Sequence, residues 1–206
     1  MPKARSRVTY HHGDLGKALI DAALAIITEE QDAANVSLRE VARRVGVSQA
    51  APYRHFADKD ALLAAVAEEG FQRLLNALQV DTGSDPDPLA RLQASGVAYV
   101  KFAIAHPAHY RVMFSTFRVD QENNSSLNAA AGKAFAVMVD AISAGQAIGA
   151  IQPGNPRQLA WVTWSLVHGL ALLLIDRQLP LVDEQDMLSL VTLATQSLVR
   201  GLQKPS

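Results

Sequence analysis

Between Ser37 and Lys59 the chain reads SLREVARRVGVSQAAPYRHFADK, and here it gathers side chains suited to bonding a polyanion and the edges of planar bases. Five residues are basic (Arg39, Arg43, Arg44, Arg54, Lys59) against Glu40 and Asp58, in a chain whose formal net charge is -1. A basic patch inside a nearly neutral chain is a local electrostatic footprint, the kind that nucleic acid selects. Gln49 carries an amide that pairs with adenine in two bonds, Arg54 a fork that pairs with guanine, and Ala50 a methyl that packs on thymine. The candidate DNA-contacting residues are Ser37, Arg44, Ser48, Gln49, Ala50, Tyr53, Arg54, His55 and Lys59. An ordinary solvated helical hairpin would carry much the same charges, so spacing alone leaves both readings open.

Other chemistries find no support. The chain has no cysteine, which excludes disulfides, zinc thiolates and a thiol nucleophile. His11 and His12 are adjacent and point to different faces. His106 and His109 come nearest to metal spacing, but Pro107 lies between them and no acidic third ligand is close in sequence. No Ser/His/Asp constellation or phosphate-cradling glycine loop is visible. We therefore expect no catalytic residues, no metal and no cofactor.

The patch needs a scaffold to present it. Leu38, Val41, Ala42 and Val45 repeat at i, i+3, i+4 and i+7, the stripe of a two-turn amphipathic helix. Ser37 and Glu40 have capping-box spacing at its start, and Gly46 stands where a left-handed residue ends it. Ser48 restarts a helix over about 49–56. Helix, tight turn and second helix make a helix-turn-helix, whose second helix enters the major groove. Pro52 falls past the best-tolerated position of that second helix, so a later start or a local distortion is expected, with Gln49 and Ala50 affected most.

Several spaced elements of the first 66 residues together resemble the DNA-binding domain of the tetracycline-repressor (TetR) family. They are the helix pattern after Gly13, the SLREVARRVGVS hairpin, YRHF at Tyr53 to Phe56 and KDALL after Asp58. The WSLVHG stretch at Trp164 to Gly169 resembles a C-terminal domain type of that family with a Trp-His-Gly (WHG) signature. The resemblance implies an all-α protein of about nine helices, dimeric through its last two. It also implies that Tyr53 and Lys59 hold phosphates and so position the domain.

The remaining chain fits this plan. With 49% hydrophobic residues and few β-branched runs, the composition favours helices. Residues 1–12 form a basic arm that either touches DNA or serves as a solubilising tail. The polar N-terminus lacks the apolar core of a signal peptide, so a cytoplasmic location is expected. We divide the chain into a helix-turn-helix domain at 1–60, a connecting fourth helix at 59–80, and a ligand-binding and dimerisation domain at 81–206. Asp81 to Pro88 reads as the linker and Arg118 to Ser126 as a loop. The eighth helix, from Pro156 to about Arg177, is apolar on nearly all sides. Its polar residues argue against membrane insertion and for burial between two chains. Leu188, Val191, Leu198 and Leu202 of the ninth helix are expected at the same seam.

Tyr99, Phe102, Met113, Phe117, Met138, Trp161, Trp164 and His168 are candidates for an effector pocket, with Tyr99 and His168 as polar handles, although core packing accounts better for any one of them, and a satisfied core histidine better for His168. The leading expectation is a homodimeric, ligand-responsive repressor of an inverted-repeat operator in double-stranded DNA. The alternatives are a helical small-molecule carrier or enzyme without DNA activity, or a DNA-binding regulator controlled by a protein partner.

Overall fold

The computed structural model describes residues 12–82, 87–116 and 125–204. Residues 1–11 of the basic arm, the middle of the linker and the stretch 117–124, with Phe117, lie outside the described residues. Within them the chain forms eight α-helices and two single-turn 3-10 helices: α1 (His12–Glu30), α2 (Leu38–Val45), α3 (Lys59–Thr82), α4 (Pro88–Ala105), α5 (Pro107–Thr116), α6 (Ser125–Ala147), α7 (Pro156–Ile175) and α8 (Glu184–Leu202), with 3-10 turns at Ala33–Asn35 and Pro52–Arg54.

Local chemistry sets the helix boundaries. Asp58 accepts from the Ala61 amide at 2.8 Å before α3, and Asp87 accepts from Leu89 at 2.9 Å before α4. Asn155 accepts from Arg157 and Gln158 ahead of α7, whose first residue is Pro156. The Ser37 hydroxyl accepts from Glu40 N–H at 3.2 Å, which is half of the expected capping box. Glu40 directs its carboxylate to Arg43 and Arg44 rather than back to the cap. At the other end of α2, Gly46 adopts φ +78°, and its amide bonds to the carbonyls of Ala42 and Arg43.

The ninth expected helix is missing for a specific reason. Residues 49–56 form turns around Pro52–Arg54 instead of a continuous α-helix. Pro52 has no N–H to give to the carbonyl of Ser48, which accepts from Ala51 at 2.9 Å instead. His55 and Phe56 then both donate to the Pro52 carbonyl at 2.9 Å. The segment is wound tighter than an α-helix, and Pro52 itself is buried.

One continuous apolar core runs from α1 and α2 through α3 to α4, α5, α6, α7 and α8. Leu19, Ile26, Val41, Leu62 and Val66 are fully or almost fully buried at one end, and Val100, Val112, Met113 and Val167 at the other. The helix expected to connect the two domains, α3, packs against α4, α5 and α6 as well as α1. Gly70 lets it approach α5, since a Cβ there would lie 2.6 Å from the Met113 sulfur. A smaller cluster (Leu92, Met138, Ile142, Ile151, Val199, Leu202) closes the far end. A single antiparallel bridge between Ile151 and Gln203 ties the α6–α7 turn to the end of α8.

Gly46 offers a clean stability test. Nothing lies within 4 Å of a Cβ built there, so only the left-handed backbone opposes substitution. Gly46→Ala is expected to destabilise the protein by about 1 kcal/mol in urea titration, and Gly46→Asn by less.

Candidate functional site

The patch from Ser37 to Lys59 comes together on one small unit, but its side chains divide into two groups. Arg44 is committed within the fold. It makes a two-pronged pair with Glu29 of α1 at 2.6 and 2.8 Å and a third contact with Glu40 at 3.2 Å. Arg43 grips Glu40 at 2.6 and 2.8 Å. Hydrogen bonds from Arg43 and then Arg44 hold the Glu40 carboxyl at about 2, well below the usual carboxylate range. Ser37 caps α2, and the Lys59 ammonium donates to the Ala34 carbonyl. These four positions brace α2 against its surroundings. The second group faces outward. Ser48, Gln49, Ala50, Tyr53 and Arg54 are exposed, while His55 is half-buried with its ring near Gly16 of α1. Arg54 has no carboxylate partner among the described residues.

A second feature lies in the larger bundle. A cavity of about 410 Å³ is walled by Phe71, Leu74 and Leu78 of α3, Tyr99 of α4 and Phe114 of α5. Its other wall comes from α6, with Asn128, Phe135 and Met138, and from α7, with Arg157, Trp161 and Trp164. Of the residues read from sequence as a pocket, Tyr99, Met138, Trp161 and Trp164 line it. Phe102 and Met113 do not. Phe102 is buried with its ring against His106, and Met113 fills the space opposite Gly70. The contributions of α3, Asn128 and Arg157 were missed. Periodicity does not separate a cavity-facing stripe on α3 from a core-facing one, and a lone Arg after Asn-Pro carries no pocket signal.

His168 stands behind the wall in a buried polar network. Trp164 Nε1 donates to the Tyr99 hydroxyl at 3.0 Å. Tyr99 and Tyr110 hydroxyls are 3.1 Å apart, and Nδ1 of His168 lies 2.6 Å from Tyr110 and 3.0 Å from Tyr99. Desolvation holds His168 below the usual histidine range and pushes both tyrosine hydroxyls up. All are then neutral near pH 7, and one directed chain satisfies them: Trp164 to Tyr99, Tyr99 to Tyr110, Tyr110 to His168. The Tyr99 hydroxyl and the Nδ1 of His168 are therefore committed within the protein.

On the opposite side of α5, His109 is buried with Nε2 lacking a hydrogen-bond partner. The Glu69 carboxylate is 3.6 Å away, too long for a hydrogen bond. Burial first, and then the nearby Arg73 charge, lower the His109 pKa, while Glu69 opposes this. His106 is lowered for the same two reasons. No group of three or more His, Cys, Asp or Glu able to hold a metal occurs among the described residues.

These histidines give stability a pH dependence of known sign. The folded state disfavours their protonation while the unfolded chain binds protons near 6.5, so stability is full above that value and falls as pH drops below it. Melting temperature is expected to decline from pH 7 towards pH 5, and His109→Gln is expected to flatten the decline. An unchanged slope in His109→Gln would remove His109 from this account.

Comparisons with known proteins agree with this geometry. The profile described as bacterial regulatory proteins, tetR family, matches residues 19–66. The profile described as the tetracyclin repressor-like C-terminal domain matches residues 92–196, about half of the chain. An uncharacterised HTH-type transcriptional regulator of Haemophilus influenzae is 43% identical over 53 residues, a match that spans 26% of each chain. A solved protein of unknown function from Rhodococcus sp. RHA1 is 34% identical, with TM-score 0.82, over 96% of this chain and 100% of that one. A tetR-family regulatory protein from Rhodococcus RHA1 is 21% identical, with TM-score 0.75, over 93% of this chain and 98% of that one. The transcriptional regulator FadR of Bacillus subtilis, solved with stearoyl-CoA, shares the fold at 16% identity and TM-score 0.74, over 90% of this chain and 98% of that one. With a capped α2, an outward-facing segment behind it and a helical bundle matched by the family's C-terminal profile, this chain belongs to the TetR family of DNA-binding transcriptional regulators, which are not enzymes.

Proposed function

We propose that this regulator works as a cytoplasmic homodimer that represses from an inverted-repeat operator and is released by a small apolar effector. The head, residues 1–60, reads DNA, and the body, residues 81–206, holds the effector and the dimer seam. Gln49, Ala50, Tyr53 and Arg54 face the bases and phosphates, with Ser48 and His55 beside them. Ser37, Arg44 and Lys59 act mainly by fixing α2 and the loop before it.

The observation that carries the reading is the double duty of α3. Phe71, Leu74 and Leu78 close the cavity, while Glu69 on the same helix pairs with Lys17 of α1 at 3.4 Å. A ligand that displaces the cavity face of α3 also moves the element carrying the head. Effector and DNA are then coupled reciprocally through one helix. The stearoyl-CoA complex of the structural neighbour supports an apolar effector in this fold.

The seam is read from α7. Val162, Leu166, Gly169 and Leu173 follow at i, i+4, i+7 and i+11 along one face. Val162 is 58% exposed, and a Cβ at Gly169 would meet nothing within 4 Å in this chain. Both α6 and α7 have the length and hydropathy of a membrane span. They also pack on each other and on α4, and the open apolar row of α7 is one-sided, which suits a partner helix better than lipid. On α8, Val191 and Leu202 are buried in this chain's own core, so they are removed from the expected seam. The exposed α8 residue Leu193 takes their place.

Two measurements check this. Binding to the DNA upstream of its own gene should be specific and fall steeply with salt. Arg54→Ala is expected to weaken it and lower the salt slope by about 1. Unchanged affinity would sink the assignment. Val162→Glu is expected to leave the melting profile of each chain intact while converting the sedimenting species from dimer to monomer. A native protein that sediments as a monomer at micromolar concentration would refute the seam.

A further inference from the structure

Among the described residues the cavity has one charged residue in its wall, Arg157, which stands exposed at its edge and forms no ion pair with them. Arg43, Arg44, Arg73 and Arg111 each pair with a carboxylate. Arg157 has none within salt-bridge distance among the described residues. Its guanidinium instead lies over the Phe135 ring at 5.5 Å and the Trp161 ring at 6.0 Å. Stacking on rings occupies the face of a guanidinium and leaves its N–H edge able to take a carboxylate with two bonds. The rings hold the side chain at the cavity and limit the entropy lost when a ligand is gripped.

The other polar groups in the wall do not offer an equal anchor. The Tyr99 hydroxyl is taken up by Trp164, Tyr110 and His168. The free amides at the start of α7 are capped by Asn155. Asn128 is neutral and favours neither charge. The rest of the lining is aromatic or aliphatic, and about 410 Å³ lies at the small end of the ~300–1,000 Å³ usual for ligand sites.

We propose that the cavity takes a small amphipathic monoanion, an aromatic or medium-chain carboxylate. Its carboxylate binds the Arg157 edge and its apolar body lies among Phe71, Leu74, Phe135 and Met138. This rests on the effector reading above and adds to it a ligand class and an anchoring residue.

The chain's two tryptophans, Trp161 and Trp164, both line the cavity, so intrinsic fluorescence reports on it directly. The full-length protein is titrated with decanoate and phenylbutyrate and with the neutral amide of each. Each acid is expected to bind about tenfold or more tightly than its amide, as a charge-assisted hydrogen bond requires. Arg157→Gln is expected to bring the acid to the level of the amide without moving the amide, and Arg157→Lys to retain part of the preference. Equal binding of acid and amide, an acid preference that survives Arg157→Gln, or no response to either acid up to ~1 mM overturns the proposal. Operator DNA affinity is followed in the same samples. If the acids bind through Arg157 but leave DNA affinity unchanged, the ligand class stands and the effector reading fails. If neutral amides bind as well as acids and release DNA, the effector reading stands and this proposal fails.

Discussion

The structure depends on the burial of α3 on both of its sides. Leu62 and Val66 sit in the core beneath α1, while Phe71, Leu74 and Leu78 reach the bundle formed by α4, α5 and α6. A helix so placed cannot slide without opening contacts at both ends, because close-packed interiors yield in discrete steps rather than gradually. Gly70 tightens the constraint by seating α3 on the Met113 side chain. Contact between the two halves therefore needs no special relay. It follows from one rigid element shared by two packing surfaces, with α5 touching both α1 and α3.

The buried hydroxyl and ring nitrogen cluster has a complementary role. Tyr99 on α4, Tyr110 on α5, and Trp164 with His168 on α7 bring three helices to one point. In a low-dielectric wall an unsatisfied hydroxyl costs ~1–3 kcal/mol, so the network fixes the relative register of those helices as long as every member is paired. It also removes the obvious polar groups from the cavity, and this gives Arg157 its prominence. The ionic contacts of the head work the same way at its surface. Glu29 and Glu40 hold Arg43 and Arg44 in place, so the outward charge is carried by other residues, Arg54 among them.

Pro52 shapes the reading segment in a manner the hairpin pattern by itself does not. A proline at that position withdraws one donor and tightens the backbone into a 3-10 turn. The side chains of Gln49 and Ala50 then precede the turn, while Tyr53 and Arg54 lie on it. The residues proposed to contact bases and phosphates are accordingly presented by a short turn and not by the first turns of a regular helix.

Local rules made much of this protein legible in its residues. The caps at Ser37, Asp58 and Asn155, the left-handed Gly46 and the apolar spacing of α2 are effects over a few residues, and sequence carries them directly. The all-α class and the family followed from the same near-neighbour patterns. What tertiary structure decided was how side chains from distant segments share space. The commitment of Arg44 to Glu29, the hydrogen bonds among Tyr99, Tyr110 and His168, and the burial of Val191 and Leu202 in the chain's own core all arise between helices far apart in the chain. Periodicity shows that a residue is buried but not what it is buried against. Phe102, Met113 and Met138 therefore look alike in sequence, and only packing separates two core residues from one that faces a cavity. Arg157 is the converse case. Its meaning comes entirely from two rings and a cavity edge that folding brings to one place.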